Sequence, residues 1–308
     1  MENRSSEPYI TIDGYVEVQK YGSLYFVIML TAFIFILFSN SLIVYLIWIH
    51  PNLHEPMYIF IAALSVNSIV YSATIYPKLL IDFLTEKQVV SHSVCIFQWF
   101  TYYNLGGSEF MFLTAMAYDR YVSICNPLKY ATIMRRTNVI VLVAFAWLFP
   151  VCQTIVPLCW NSQKKLCNFI FEGIICNSNV NKMYCVSSTA LAIYGLFIFS
   201  NLVILPVLFI LFTYLKIFFI ARRSEEMRRK AIATCLPHLV VLINFTVFSC
   251  YDVLLMRFET EYTKEVQFIV TLQVIMYHPL FNPIIYGLKM KEINRHIQKL
   301  LCPFIKQK

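Results

Sequence analysis

Asp119, Arg120 and Tyr121 stand together at the end of a long apolar run. An adjacent acid and base at the edge of a greasy segment is the first place to look for chemistry. Arg can snorkel from such an edge to water, so the simplest role is an anchor, and the sharper one is a contact that breaks and reforms. Glu109 lies ten residues earlier, in the middle of the same run. An ionisable group at that depth is costly and marks a functional site by default: it stays protonated, binds a cation such as sodium with Ser68 and other oxygens, or packs as a neutral hydrogen-bonded carboxyl. Cys235 and His238 have the spacing of one helix face, yet a lone pair more often packs than binds metal. There is no P-loop, no Gly-rich nucleotide turn and no nucleophile elbow, so no catalytic residues are assigned, no enzyme is expected and no cofactor is implied beyond that sodium ion.

The elements that must position these residues follow from composition. Hydrophobic residues make up 59% of the 308, and charged residues only 14%. Soluble domains carry about 25% charged residues, so this chain is an integral membrane protein. Seven apolar stretches approach or exceed the roughly 20 residues that a spanning helix needs. They are 24–49, 57–76, 95–118, 139–160, 189–215, 231–251 and 266–288. They are too long and continuous for barrel strands, and helices satisfy their own backbone groups in lipid. The expected fold is an all-α bundle of seven transmembrane helices in a single domain, 1–308. Residues 1–23 form an outer tail, and 289–308 form a cytoplasmic tail with a short amphipathic helix.

Loop charges set the orientation. Lys129, Arg135, Arg136, Arg222, Arg223, Arg228, Arg229, Lys230, Lys289, Lys291, Arg295 and Lys299 fall on one side. The other side carries many acids, among them Glu2, Glu7, Asp13, Glu17, Glu86, Glu172, Glu259, Glu261 and Glu265. By the positive-inside bias the N-terminus is outside and the C-terminus inside. The net charge of +8 thus points to lipid and a cytosolic partner, not to nucleic acid. The first twenty residues lack an apolar signal core, so the first helix is expected to act as its own anchor. Asn3 opens an outer glycosylation sequon; Asn244 opens another, discounted because it lies in a span.

Ten cysteines divide by compartment. Cys95, Cys167, Cys176 and Cys185 fall on the outer side, where bridges are permitted, and four cysteines allow three pairings. Cys125, Cys235 and Cys302 are expected to be free, with Cys302 a palmitoylation candidate. Cys152, Cys159 and Cys250 are expected to be small packing residues.

Longer motifs carry a resemblance. "PMYIF" opens the second helix, "MAYDRYVSICNPLKY" closes the third, "KAIATCLPHL" opens the sixth and "HPLFNPIIYGLKMKEI" ends the seventh. In this order the chain resembles an odorant receptor of the rhodopsin-like G-protein-coupled class, more like the fish branch than the mammalian one. The resemblance implies a small-molecule odorant, a heterotrimeric G protein of the stimulatory olfactory type, a cyclic-AMP response and the plasma membrane. It implies that Arg120 is held at rest and, on activation, faces a cleft with Tyr214 and Tyr286 repacked around it. It implies bridges Cys95–Cys176 and Cys167–Cys185. His238 is a weaker candidate in activation. Pro206 and Pro283 are expected bending points, with Asn282 bonding the backbone groups freed beside Pro283.

The same resemblance places the ligand. Tyr102 lies about five turns above Arg120, at the level where amine receptors carry an aspartate, with Tyr103 beside it. Gly106 and Gly107 leave room below, and Ser249, Cys250 and Leu272 are expected to face the same space. The chain departs from the class in having Ser68, beside Asn67, where an aspartate is usual. It has Phe245 and Thr246 where mammalian odorant receptors carry Phe-Tyr. The expected pocket is small, apolar and rich in hydroxyls, suited to a neutral or weakly polar molecule, with Asp252 near the outer end able to catch a cation. Outside this reading stand a receptor for an endogenous ligand elsewhere in the body, and a transporter. A transporter is disfavoured by the single deep acid and the lack of a repeat between halves.

Overall fold

The computed structural model describes residues 9–162, 164–186, 188–222, 224–225, 229, 235–236, 238–247, 249–250 and 263–301. Asn3, Asp252 and Cys302 lie outside them. The long helices are α1 (Val18–Ile49), α2 (Pro56–Leu84), α3 (His92–Cys125) and α5 (Arg136–Asn161), with a single turn, α4 (Tyr130–Ile133), before α5. Next come α6 (Thr189–Phe199) and α7 (Leu205–Ala221), joined by a π-turn at Ser200–Ile204. The chain ends with α8 (His238–Val247), α9 (Lys264–Lys289) and α10 (Lys291–Leu301). Among the described residues four spans are long and apolar enough to cross a membrane: α1, α2, α5 and the α6–α7 helix. Counting the bent α9 gives five. α3 is long enough too, at 34 residues, but it carries Asn104, Glu109, Asp119 and Arg120 because it is the bundle's interior helix. Its neighbours are α2, α5 and α7. Around it Phe60, Leu64, Phe110, Phe112, Leu113, Met116 and Ile217 form the core, while Phe38, Trp48, Leu215 and Phe219 are exposed as lipid-facing residues would be.

Proline shapes two spans. The π-turn ends two residues before Pro206, which stands in the first turn of α7 and has no N–H to give the carbonyl four residues back. In α9 the expected hinge was Pro283, but the 41° bend falls between Tyr277 and Pro279. Each of these prolines removes the N–H that would bond the carbonyl four residues back. The carbonyl orphaned by Pro279 is that of Ile275, and Tyr76 of α2 donates its hydroxyl there at 3.5 Å. The carbonyl orphaned by Pro283 is that of Pro279, and Asn40 Nδ2 of α1 donates to it at 3.1 Å. Side chains of neighbouring helices, not Asn282, therefore satisfy the freed groups.

Part of the tail forms a strand. β1 (Tyr9–Ile12) pairs antiparallel with β2 (Val89–Ser91) and parallel with β3 (Ile170–Phe171). Its alternation buries Ile10 and Ile12 against Trp99, Phe171, Val180 and Met183. Gly14 passes so close to Gly173 that a Cβ would sit 2.2 Å from that residue's carbonyl carbon, so only glycine fits.

Candidate functional site

Cys95, at the start of α3, is bonded to Cys176, and Cys167 to Cys185. The loop they hold is pinned to α3 by further bonds. Gln98 Oε1 accepts from the Cys176 amide at 2.9 Å, and Tyr103 Oη accepts from the Ser178 amide at 3.1 Å. The loop is therefore a fixed wall. Cys125, Cys152, Cys159, Cys235 and Cys250 are in no disulfide among the described residues. Cys152 and Cys159 are exposed on α5 and do not pack in the core as expected, because both sit on the face turned away from α3.

Beneath the loop lies a cavity of about 460 Å³. Phe110, Leu202, Val203, Phe245 and Val274 form its apolar part, and Tyr71, Trp99, Tyr102, Tyr103 and Tyr194 an aromatic belt. The Phe110 and Phe245 rings stand 4.1 Å apart, and Tyr102 meets Tyr103 edge-on at 5.1 Å. Gly106 opens onto empty space, whereas Gly107 backs onto Leu202 and Pro150. Of the expected ligand residues Tyr102, Tyr103, Gly106 and Ser249 line the cavity; Leu272 and Cys250 do not. Leu272 packs in the separate cluster of Tyr25, Phe83 and Phe268. A helix turns about 100° per residue, so Val274 takes the cavity-facing place and Leu272 points well away from it.

Among the cavity residues that were not anticipated two carry charge: Lys164, just past α5, and Lys182, in the turn of Ser178–Met183. Their signal in the sequence was weak, since loop lysines are ordinary and only the fold brings them over the mouth. Asp82 is a second surprise. It is buried at the outer end of α2, ion-paired with Lys78, and accepts the Tyr15 hydroxyl at 3.0 Å. Burial, and then the charge of Asp82, push the Tyr15 hydroxyl well above its usual range, so Tyr15 remains a donor.

Midway down α3, Glu109 is buried and accepts from Asn282 Nδ2 at 2.9 Å; the same amide lies 3.4 Å from Ser68 Oγ. Asn282 thus joins α2, α3 and α9. Its Oδ1 is buried with no hydrogen-bond partner among the described residues. A gap of about 10 Å³ beside it is bounded by Glu109, Asn244 and Tyr277. Asn67 ties the same level together, donating to the Leu105 carbonyl at 2.9 Å and accepting from Trp147 Nε1 at 3.3 Å. Among the described residues no group of three or more His, Cys, Asp or Glu could hold a metal ion.

At the far end of α3, Asp119 is buried and lies 3.8 Å from Arg120 Nε. Tyr130 of α4 donates to Asp119 Oδ1 at 2.9 Å, and Arg120 Nη2 reaches Met57 Sδ of α2. Burial, then the charge of Asp119 and the hydrogen bond to it, push the Tyr130 hydroxyl up and keep it a donor. Tyr121 is half-buried against the core. Tyr214 is buried in the cluster that contains Met57, its hydroxyl without a partner among the described residues. Tyr286 Oη lies 3.3 Å from His238 Nδ1.

An apolar helical bundle with a roofed cavity at one end and an arginine lock at the other narrows the comparison, and the family profile for olfactory receptors matches residues 28–303. The chain belongs to the olfactory receptor family. Human olfactory receptor 6K3 is 33% identical to it over 305 residues, covering 97% of this chain and 91% of the relative. Mouse olfactory receptor 4B13 is 32% identical over 303 residues, covering 97% of each. Squid rhodopsin, at 20% identity, superposes with a TM-score of 0.74 over 95% of this chain and 88% of its own. That match shows the fold: the receptor has the rhodopsin-like seven-helix architecture. It is a multi-pass membrane receptor and not an enzyme.

Proposed function

We propose that the receptor binds a small odorant in the 460 Å³ cavity and relays the event to a heterotrimeric G protein of the stimulatory olfactory type, raising cyclic AMP. The observation that carries this reading is the position of two sites on one helix. The cavity is lined by α3 from Trp99 to Phe110, and the held Arg120 closes the other end. A ligand that shifts α3 against α2 would alter the grip of Asp119, Tyr130 and Met57 on Arg120, which is a bistable contact of the kind that amplifies small movements. Tyr214, His238 and Tyr286 are the residues that would repack. In this reading the loop of Cys167–Cys185, Asn3 and the N-terminus face outside, and α10 lies at the inner leaflet of the plasma membrane.

The middle cluster fits a sodium ion. Glu109, Ser68 and the unpartnered Asn282 Oδ1 are oxygen donors of the sort hard cations take, and the adjacent gap suits one ion or one water.

The test is odorant-dependent cyclic AMP in transfected cells, set against substrate flux in vesicles. Arg120→Ala should reach the surface and give no rise. A normal response from that variant would remove Arg120 from the role assigned to it, and flux without cyclic AMP would replace the receptor reading.

A further inference from the structure

We propose that the receptor's preferred ligand is an anionic amphiphile, a small carboxylate with an apolar tail, its carboxylate held at the cavity mouth by Lys164 and Lys182. The proposal rests on the odorant reading and names the chemical class. Among the described residues lining the cavity, these two lysines are the charged ones, and no acid lines it. Neither lysine has a carboxylate partner among the described residues. The Lys164 ammonium stands over the Tyr184 ring, 5.9 Å from its centroid. Burial pushes the Tyr184 hydroxyl up, so it stays neutral and does not cancel the ammonium.

The two lysines come from separate segments. Lys164 follows the end of α5, and Lys182 belongs to the turn held by the Cys167–Cys185 bridge. The bridges fix that turn, so the charges are pre-organised over the mouth rather than swinging on a free loop. Asn181 and Ser188 line the same rim, and Asn181 is itself held, accepting from Asn161 Nδ2 at 2.8 Å. Ser188 caps the start of α6, which brings the positive end of that helix dipole to the rim as well. Like-signed fixed charges around an apolar cleft focus the field and raise the local concentration of anions. Below the rim the aromatic belt and the Phe110–Phe245 pair offer surface for a tail, and no charged side chain there would need a polar ligand. An amine would meet two ammonium groups and, among the described residues lining the cavity, no carboxylate. A neutral alcohol would bury the same tail without the ion pair.

The experiment uses straight-chain carboxylates from butanoate to decanoate with the alcohols and amines of matching length. Binding is read as thermal stabilisation of the purified receptor, and signalling as cyclic AMP in cells with surface level measured by an epitope tag. One carboxylate in the series should outperform its alcohol and amine. Lys164→Gln and Lys182→Gln should each raise its half-maximal concentration about tenfold, where each factor of ten is worth about 1.4 kcal/mol. The double variant should lose the response, Lys164→Arg should retain it, and the alcohol's weaker response should be little changed throughout. Alcohols that match or exceed carboxylates, or carboxylate responses indifferent to both lysines, would overturn the proposal and leave the receptor reading standing. So would silence of the whole carboxylate series in both readouts. Stabilisation by a carboxylate without any cyclic AMP would uphold the ligand class and count against the coupling reading.

Discussion

Gly106 and Gly107 are neighbours on α3, yet the structure predicts opposite outcomes when each gains a methyl group. A Cβ on Gly106 would meet nothing within 4 Å; one on Gly107 would lie 3.0 Å from Leu202 Cδ1 and 3.1 and 3.3 Å from Pro150 Cβ and Cγ. Both substitutions remove an interior helical glycine, which stabilises by about 0.5–1 kcal/mol. At position 106 that gain stands alone. At position 107 it is set against overpacking, which costs about 1–3 kcal/mol, because the Pro150 ring is stiff and cannot step aside as the end of a Leu can. Gly107→Ala should therefore be about 1–3 kcal/mol less stable than Gly106→Ala. For a protein of this size that separates their apparent melting temperatures by about 2–5 °C, measured side by side in one detergent at one scan rate because unfolding of such proteins is seldom reversible. Function should follow the reverse order. Gly106→Leu projects into the cavity, so it should reach the cell surface and weaken odorant response about tenfold, or about 1.4 kcal/mol. Equal melting temperatures for the two alanine variants would refute the packing of α3 against α5 and the π-turn. An unchanged dose-response for Gly106→Leu would refute the cavity as the ligand site.

Asn282→Ala leaves the Glu109 carboxyl short of a buried donor, so stability should fall by about 1–3 kcal/mol; any stabilisation of the wild type by sodium should vanish with it, read as melting temperature in sodium against choline. Tyr130→Phe removes the donor that holds Asp119, and basal cyclic AMP should rise several-fold at equal surface level; an unchanged basal level would mean this bond does not restrain Arg120. His296 of α10 stacks on His50 at 3.7 Å between ring centroids and bonds Asn52 at 3.3 Å. Desolvation, then His50 and Lys299, lower its pKa from the ordinary 6.5. The folded form therefore lags the unfolded in taking up a proton, and stability is lost as pH falls below about 6.5. Hydrogen-exchange protection across residues 291–301, after division by the intrinsic pH-dependent rate, should fall from pH 7.5 to 5.5, and His296→Gln should flatten that dependence.

The helices, their number and the motifs at their ends were legible in the sequence because they depend on local properties. A run of apolar residues must hydrogen-bond within itself in lipid, and that condition needs no knowledge of neighbours. Tyr102, Tyr103 and Gly106 could be set at one level of α3 by their spacing from Arg120, but that this level holds the cavity, and that Ser249 of another helix shares it, came only from the resemblance. What the tertiary structure decided are relations between segments far apart in the chain. Val274 rather than Leu272 faces the cavity because the rotation of α9 depends on how α1 and α2 grip its bent region. Asn282 bonds Glu109 rather than its own helix because Asn40, 239 residues before Pro279, already serves the carbonyl that Pro283 frees. Tyr9–Ile12 is a strand because two distant loops offer it edges, and four residues carry no periodicity long enough to announce that. The lysines at the mouth belong to the same class of fact. In the sequence Lys164 and Lys182 are two loop charges among twenty-five bases. Placing both over an apolar cavity required disulfides, a turn and a helix end to converge, and such long-range closure is what a one-dimensional reading of hydropathy and spacing does not contain.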